Sequence, residues 1–240
     1  MDRPRQLARV AGVLYLVVAV GGGFAHLYVR AMVYVPGDPQ ATLAKVAGNA
    51  GLVRAGVVAD LVQATCFVVL GLVLHSLLAP TGRALARAMV VFVAIAAGMI
   101  CLNMVHQHVG LLVPTGPAYA GDGTFTLLLF DLQHYGYLTA QIFFGLWLAP
   151  LGLLAYRSGL FPRALGVVLV VGCAGYLVDT FVQFLVAAPP EVLSTVLVVP
   201  AAVAEFWMLG YLLTVGVRKQ RDQGPAGSGL TAPAAAPTAG

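Results

Sequence analysis

Six long apolar runs, at about 8–29, 55–79, 88–113, 131–156, 164–187 and 195–217, alternate with short stretches that hold nearly all the charge. None of the runs shows the period-two alternation of a half-buried strand, and all are rich in Leu, Ala and Val. Each is long enough to cross a bilayer, whose hydrocarbon core takes about 20 helical residues. In lipid a helix satisfies its own backbone hydrogen bonds, so the pattern predicts an all-α integral membrane bundle of six transmembrane helices, each unbroken, over 1–221.

Composition agrees. Hydrophobic residues make up 60% of the chain and charged residues 9%, with a mean hydropathy of +0.91, outside the range of soluble globular domains. The net charge of +4 comes from arginines that flank the runs. It is a topology signal, with no basic, aromatic-interleaved patch of the kind that binds nucleic acid. Arg3, Arg5 and Arg9 precede the first run, Arg83 and Arg87 the third, Arg157 and Arg163 the fifth, and Arg218, Lys219 and Arg221 follow the sixth. By the positive-inside rule these mark one cytoplasmic face holding both termini. The opposite connections carry Asp122 and Glu191, and in the first of them Arg30, Lys45 and Arg54 are offset only by Asp38. The basic start and small residues near Ala25 also have the form of a secretory signal, and charge alone leaves that alternative open.

Three local features lie outside this frame. Asp38 as N-cap, Pro39 at the first helical position and Gly48 as a stop predict a short exterior helix after the first span, placed to act as a lid. The stretch 124–156 is longer than a span requires, so its first turns are expected to project or tilt. The tail 222–240 is small, polar and rich in Pro and Gly, the composition of a disordered cytoplasmic segment. Cys66, Cys101 and Cys173 sit singly in apolar runs and read as small buried hydrophobes.

Polar residues inside the runs change the picture most. A charged side chain in hydrocarbon costs on the order of 3 kcal/mol and needs a partner or an aqueous cavity. At about 1.5 Å per residue, His26 and Asp60 lie roughly 6–9 Å in from the exterior boundary, and Asn103, Asp179 and Glu205 roughly 15–17 Å. All fall in the exterior half. Helical spacing gives each span one polar face: Asp60 with Gln63; Asn103 with His106 and Gln107; Asp131 with His134 and Gln141; Asp179 with Gln183 and Tyr176. Together with His26 and Glu205 these faces predict one polar pocket, open to the exterior and floored by an apolar plug. His108 points away from it.

No Lys or Arg lies within the apolar runs to neutralise Asp60, Asp179 or Glu205. That leaves histidines, a metal, a proton or a bound ligand. Asp131 and His134 have the i, i+3 spacing of a helical chelate, and His106, Asp179 and Glu205 are further candidate ligands. Asp60 and Glu205 are the candidate catalytic acids, since burial raises a carboxyl pKa.

Four stretches, "ARVAGVLYLVVAVGGGFAHLYVR", "VPGDPQATLAKVAGNAGLVRAG", "FFGLWLAPLGLLAYRSGLFPRALGVVLVVGCAGYLVD" and "AEFWMLGYLLTVGV", resemble the bacterial multi-span proteins grouped as domain of unknown function 4386. The resemblance covers the chain up to its tail. It implies that the first span is retained, and it implies no activity. It also implies an acidic residue near the position where this chain has His26. The leading expectation is therefore a multi-pass protein of a bacterial cell membrane whose pocket binds a small molecule or lipid in a binding, sensing or accessory role. An intramembrane enzyme using acid or metal chemistry is an alternative, as is a transporter, which the absence of expected helix breaks disfavours. The cofactor is left unknown by the sequence, and membrane lipids are the expected surroundings.

Overall fold

The computed structural model describes residues 3–117 and 121–218, so the expected tail at 222–240 lies outside the described residues. Among the described residues there is no strand. The chain runs through α1 (Arg3–Gly22), a π-helical segment (Gly23–Val29), α2 (Arg30–Val33), α3 (Pro39–Gly48), α4 (Ala50–Leu78), α5 (Arg83–Thr115), α6 (Gly123–Leu146), α7 (Leu148–Ser158), α8 (Arg163–Leu185) and α9 (Glu191–Thr214). Among the described residues six helical stretches are long and apolar enough to cross a membrane: Arg3–Val33, Ala50–Leu78, Arg83–Thr115, Gly123–Ser158, Arg163–Leu185 and Glu191–Thr214. This is a multi-pass membrane bundle.

Consecutive spans are neighbours and the last returns to the first. α1 packs on α4, α4 on α5, α5 on α6, α6 and α7 on α8, α8 on α9, and α9 on α1. Lipid is as apolar as leucine, so close packing and not hydrophobic exclusion must hold such helices together. Small residues supply the close approach. A Cβ on Gly152 would stand 2.7 Å from the Gly166 carbonyl oxygen, and one on Gly172 2.6 Å from Ala201 Cα.

The two ends differ. At the arginine-bearing end the connections lock together: the Arg218 N–H donates to Leu160 O at 3.1 Å, and Phe161 packs on Tyr211 with ring centroids 5.6 Å apart. The half above it is filled by Leu70, Leu74, Leu78, Met89, Trp147, Leu151 and Leu154, each essentially inaccessible. At the other end lies α3, as expected from Asp38 and Pro39. The Asp38 carboxylate accepts from Ala41 N–H at 2.9 Å, and Val46 joins Val33, Val53, Leu111 and Phe130 in a small core that seats α3 across α5 and α6.

Two spans depart from the expected unbroken helix. The fourth ends as α6 at Leu146 and restarts as α7 at Leu148. Pro150 has no N–H for the Leu146 carbonyl four residues back, and its ring crowds that carbonyl, so the helix breaks there. The first span widens to π-helix over Gly23–Val29, where the Arg30 N–H bonds to Ala25 O. Three consecutive glycines, 21–23, weaken the α-helix at that point. As a result the same helix continues to Val33 and carries Arg30 within it, whereas the sequence places Arg30 in the loop.

Candidate functional site

Every buried polar or charged residue among those described lies in the α3 half of the bundle: Thr42, Asp60, Gln63, Asn103, Gln107, Thr126, Gln133, Asp179 and Thr180. Three groups of side chains organise it.

The first group forms where the π-helical segment meets α4. Gly21 and Gly22 let α1 lie almost on the α4 backbone: a Cβ on Gly21 would stand 3.2 Å from Ala59 O, and one on Gly22 2.9 Å from both ends of the Gln63 amide. The wider π turn that follows resets the helix facing, and His26 comes to rest with Nε2 3.5 Å from Asp60 Oδ1. Tyr137 of α6 packs on the His26 ring at 3.8 Å between centroids, with its hydroxyl facing Asp60. Asn103 fills the notch left by the missing side chain of Gly136, so its amide reaches the α6 backbone. Asp60 is 0% exposed. Neither of its oxygens completes a hydrogen bond of ordinary geometry. His26 Nε2, Gln63 Oε1, Asn103 Nδ2, His106 Nδ1 and Tyr137 Oη are likewise buried and unpartnered.

The second group surrounds Glu205. Tyr15 donates to Glu205 Oε1 at 3.1 Å and Tyr176 to Oε2 at 3.4 Å. Next to it, Gln141 Nε2 donates to Asp179 Oδ2 at 2.6 Å, leaving Asp179 Oδ1 without a partner. The third group sits at the rim. The Tyr34 hydroxyl donates to Asp131 Oδ1 at 2.5 Å, the Arg30 guanidinium lies over the Tyr34 ring at 4.9 Å, and His134 approaches that ring at 6.0 Å. Burial first, and the bond to Asp131 second, push the Tyr34 phenol above its ordinary range.

The structure thus distributes the expected pocket residues. His26, Asp60, Gln63 and Asn103 stand around the π-segment contact, with His106 on the Asn103 stripe. Gln141 and Asp179 pair with each other, and Glu205 is held by tyrosines. His134 and Gln183 instead line a cavity of about 560 Å³ beside the α8–α9 connection. No hydrogen bond or ion pair joins the Asp60 and Glu205 groups among the described residues. The candidate metal set of Asp131, His134, His106, Asp179 and Glu205 does not come together. Among the described residues no three His, Cys, Asp or Glu side chains converge. The reason is visible in the partners: Tyr34 takes Asp131, Gln141 takes Asp179, and two phenols take Glu205. His108 is exposed on the bundle's flank, as expected, but so is Cys101, which the sequence reading placed inside.

Tyrosine is the residue type that sequence reasoning missed. Tyr15, Tyr34 and Tyr176 each donate to a carboxylate and Tyr137 turns its hydroxyl toward Asp60, and only Tyr176 shared a marked stripe with an acid. A hydrogen bond to a charged group contributes about 1.5–3 kcal/mol in water and somewhat less between membrane helices. Tyr15→Phe is therefore expected to lower stability by about 1–2 kcal/mol, and Tyr176→Phe, at the longer distance, by less. Thermal unfolding in detergent measures both, and equal, negligible shifts would show that the phenols do not hold Glu205.

Comparison with curated proteins and with solved structures found no match. One family model does match, over residues 10–216, and its description is "domain of unknown function" (DUF4386).

Proposed function

The chain belongs to the DUF4386 family, and from that premise we propose that it is a binding or sensing protein of the bacterial cell membrane, with a polar site in its exterior half for a small solute. The observation that carries this reading is the buried polar group of His26, Asp60, Gln63, Asn103 and Tyr137, in which polar atoms complete no hydrogen bond and His26 meets Asp60 only at 3.5 Å. Buried polar groups in native structures are paired by protein or by something bound, because an unpaired one costs about 1–3 kcal/mol and more if charged. The π-helical turn beside the cluster supports the same reading, since such turns frequently mark functional sites.

Orientation follows from arginine. The end holding Arg5, Arg83, Arg163 and Arg218 is the cytoplasmic one, so α3 and the polar half face the exterior. Among the described residues the half below is filled by buried apolar side chains, which favours binding or sensing over translocation.

The test is retention of the solute. Small molecules released from purified wild-type protein and from Asp60→Asn are compared by mass spectrometry, with intact folding checked by thermal unfolding. The expected result is a polar compound carried by the wild type and lost from the variant. Identical release profiles from two folded proteins would remove the reading.

A further inference from the structure

We infer that the cavity beside the α8–α9 connection seats the headgroup of an uncharged, hydroxyl-bearing lipid, such as a glycosyl diacylglycerol. The site is separate from the Asp60 group and does not depend on the reading proposed for it.

Depth sets the kind of occupant. α8 has 23 residues, about 35 Å at 1.5 Å per residue, so once it crosses a hydrocarbon core of about 30 Å its end at Leu185 stands among the headgroups. The cavity lies at that end, between α6 and the connection that follows α8. Its volume of about 560 Å³ falls within the roughly 300–1,000 Å³ of ligand sites. Its wall is partly open to lipid. Tyr135, Phe184 and Leu185 line it and are exposed, and Phe181 and Val178 continue the exposed apolar flank of α8 toward the bilayer centre. A molecule with its head in the cavity lays its chains against that flank.

The lining sets the chemistry of the head. Among the described residues no Lys, Arg, Asp or Glu lines the cavity, and the rim charges Arg30 and Asp131 are engaged with Tyr34. The polar side chains that do line it are His134, Tyr135 and Gln183. The His134 ring lies against the Tyr34 and Tyr135 rings, at 6.0 and 5.1 Å between centroids, and neither it nor Gln183 makes a hydrogen bond to another described residue. α8 adds backbone acceptors. Its last turn closes with the Val186 N–H on Val182 O, and no basic residue there meets the carbonyls that follow. An amide and a neutral imidazole both donate and accept, and free carbonyls accept, a set that hydroxyl groups match because they do both. A phosphate head brings acceptors alone and would face the negative end of the α8 dipole. A choline head brings charge without a donor.

The experiment titrates the purified full chain with chain-matched lipids and reads the melting temperature, in an amine-oxide detergent so that no sugar-headed detergent fills the site. The lipids are glucosyl diacylglycerol, phosphatidic acid, phosphatidylcholine and phosphatidylethanolamine, with free glucose beside them. Glucosyl diacylglycerol is expected to give a saturable rise at concentrations roughly tenfold or more below the others, the factor that one or two hydrogen bonds supply. The rise should weaken by a similar factor in His134→Phe and in Gln183→Leu, and persist in Asp60→Asn. Equal potency of any of the three phospholipids would overturn the uncharged hydroxyl head, and equal potency of glucose would overturn the lipid. A rise that survives the double variant undiminished would place the lipid elsewhere, and no rise at all would remove the inference. The wild-type series decides the headgroup class even where a variant fails to fold.

Discussion

Asp60→Asn is expected to make the unliganded protein more stable, by about 1–3 kcal/mol, while removing its ability to hold a solute. Asp60 is completely buried, its oxygens complete no hydrogen bond, and the nearest opposite partner is an imidazole at 3.5 Å. Keeping an ion there costs several kcal/mol of lost hydration, which contacts of this length do not return. An amide of the same size avoids that cost. The competing account is that protonated His26 and Asp60 form an ion pair that holds the π segment on α4. In that case the same change strands a buried imidazolium and should cost about 3 kcal/mol or more. The sign of the shift in melting temperature, measured in detergent without added solute, decides between them.

The second large effect is purely steric. Gly166→Val should destabilise the bundle by about 3 kcal/mol or more, through separation of α7 from α8. A Cβ at 166 would stand 2.7 Å from the Gly152 carbonyl oxygen and 2.8 Å from the Tyr156 backbone nitrogen. These are backbone atoms, so no rotamer change relieves the clash and the helices must part. Gly98→Ala is the control, because nothing lies within 4 Å of a Cβ there. It should be neutral or stabilising by up to about 1 kcal/mol through helix propensity. Similar losses from both variants in chemical denaturation would mean that glycine is not setting the α7–α8 distance.

These two sites also mark what the sequence could and could not tell. Hydropathy located all six spans because bilayer thickness imposes a length that composition displays directly. Asp38 and Pro39 announced α3 through local chemistry alone, and counting residues from each boundary grouped the acids in one half of the bundle, the half that holds α3. His106 and His108 were separated by helical geometry. The π turn was not legible, because the glycines at 21–23 reveal their role only once Gln63 of α4 is packed against them. The break at Trp147 had a readable cause in Pro150, masked by hydropathy that continues across it. The partners of the acids were the largest omission. Phenols count as apolar in a hydropathy profile, and Glu205 meets Tyr15 across 190 positions of sequence. Assigning the acids to one pocket followed from treating each helix face as if it shared a common centre, whereas the ring of spans gives Asp60 and Glu205 different neighbours.

The most direct measurement is a high-resolution experimental structure of the protein in lipid nanodiscs, read at the space between His26, Asp60, Gln63 and Tyr137. Density bonded to the Asp60 oxygens and to Gln63, in a bundle whose Leu74 half is closed, is the result expected of an exterior solute site. Tyr137 Oη and His26 Nε2 closed directly onto Asp60 at hydrogen-bonding distance, with no atom between them, would contradict it and make the cluster a structural clasp.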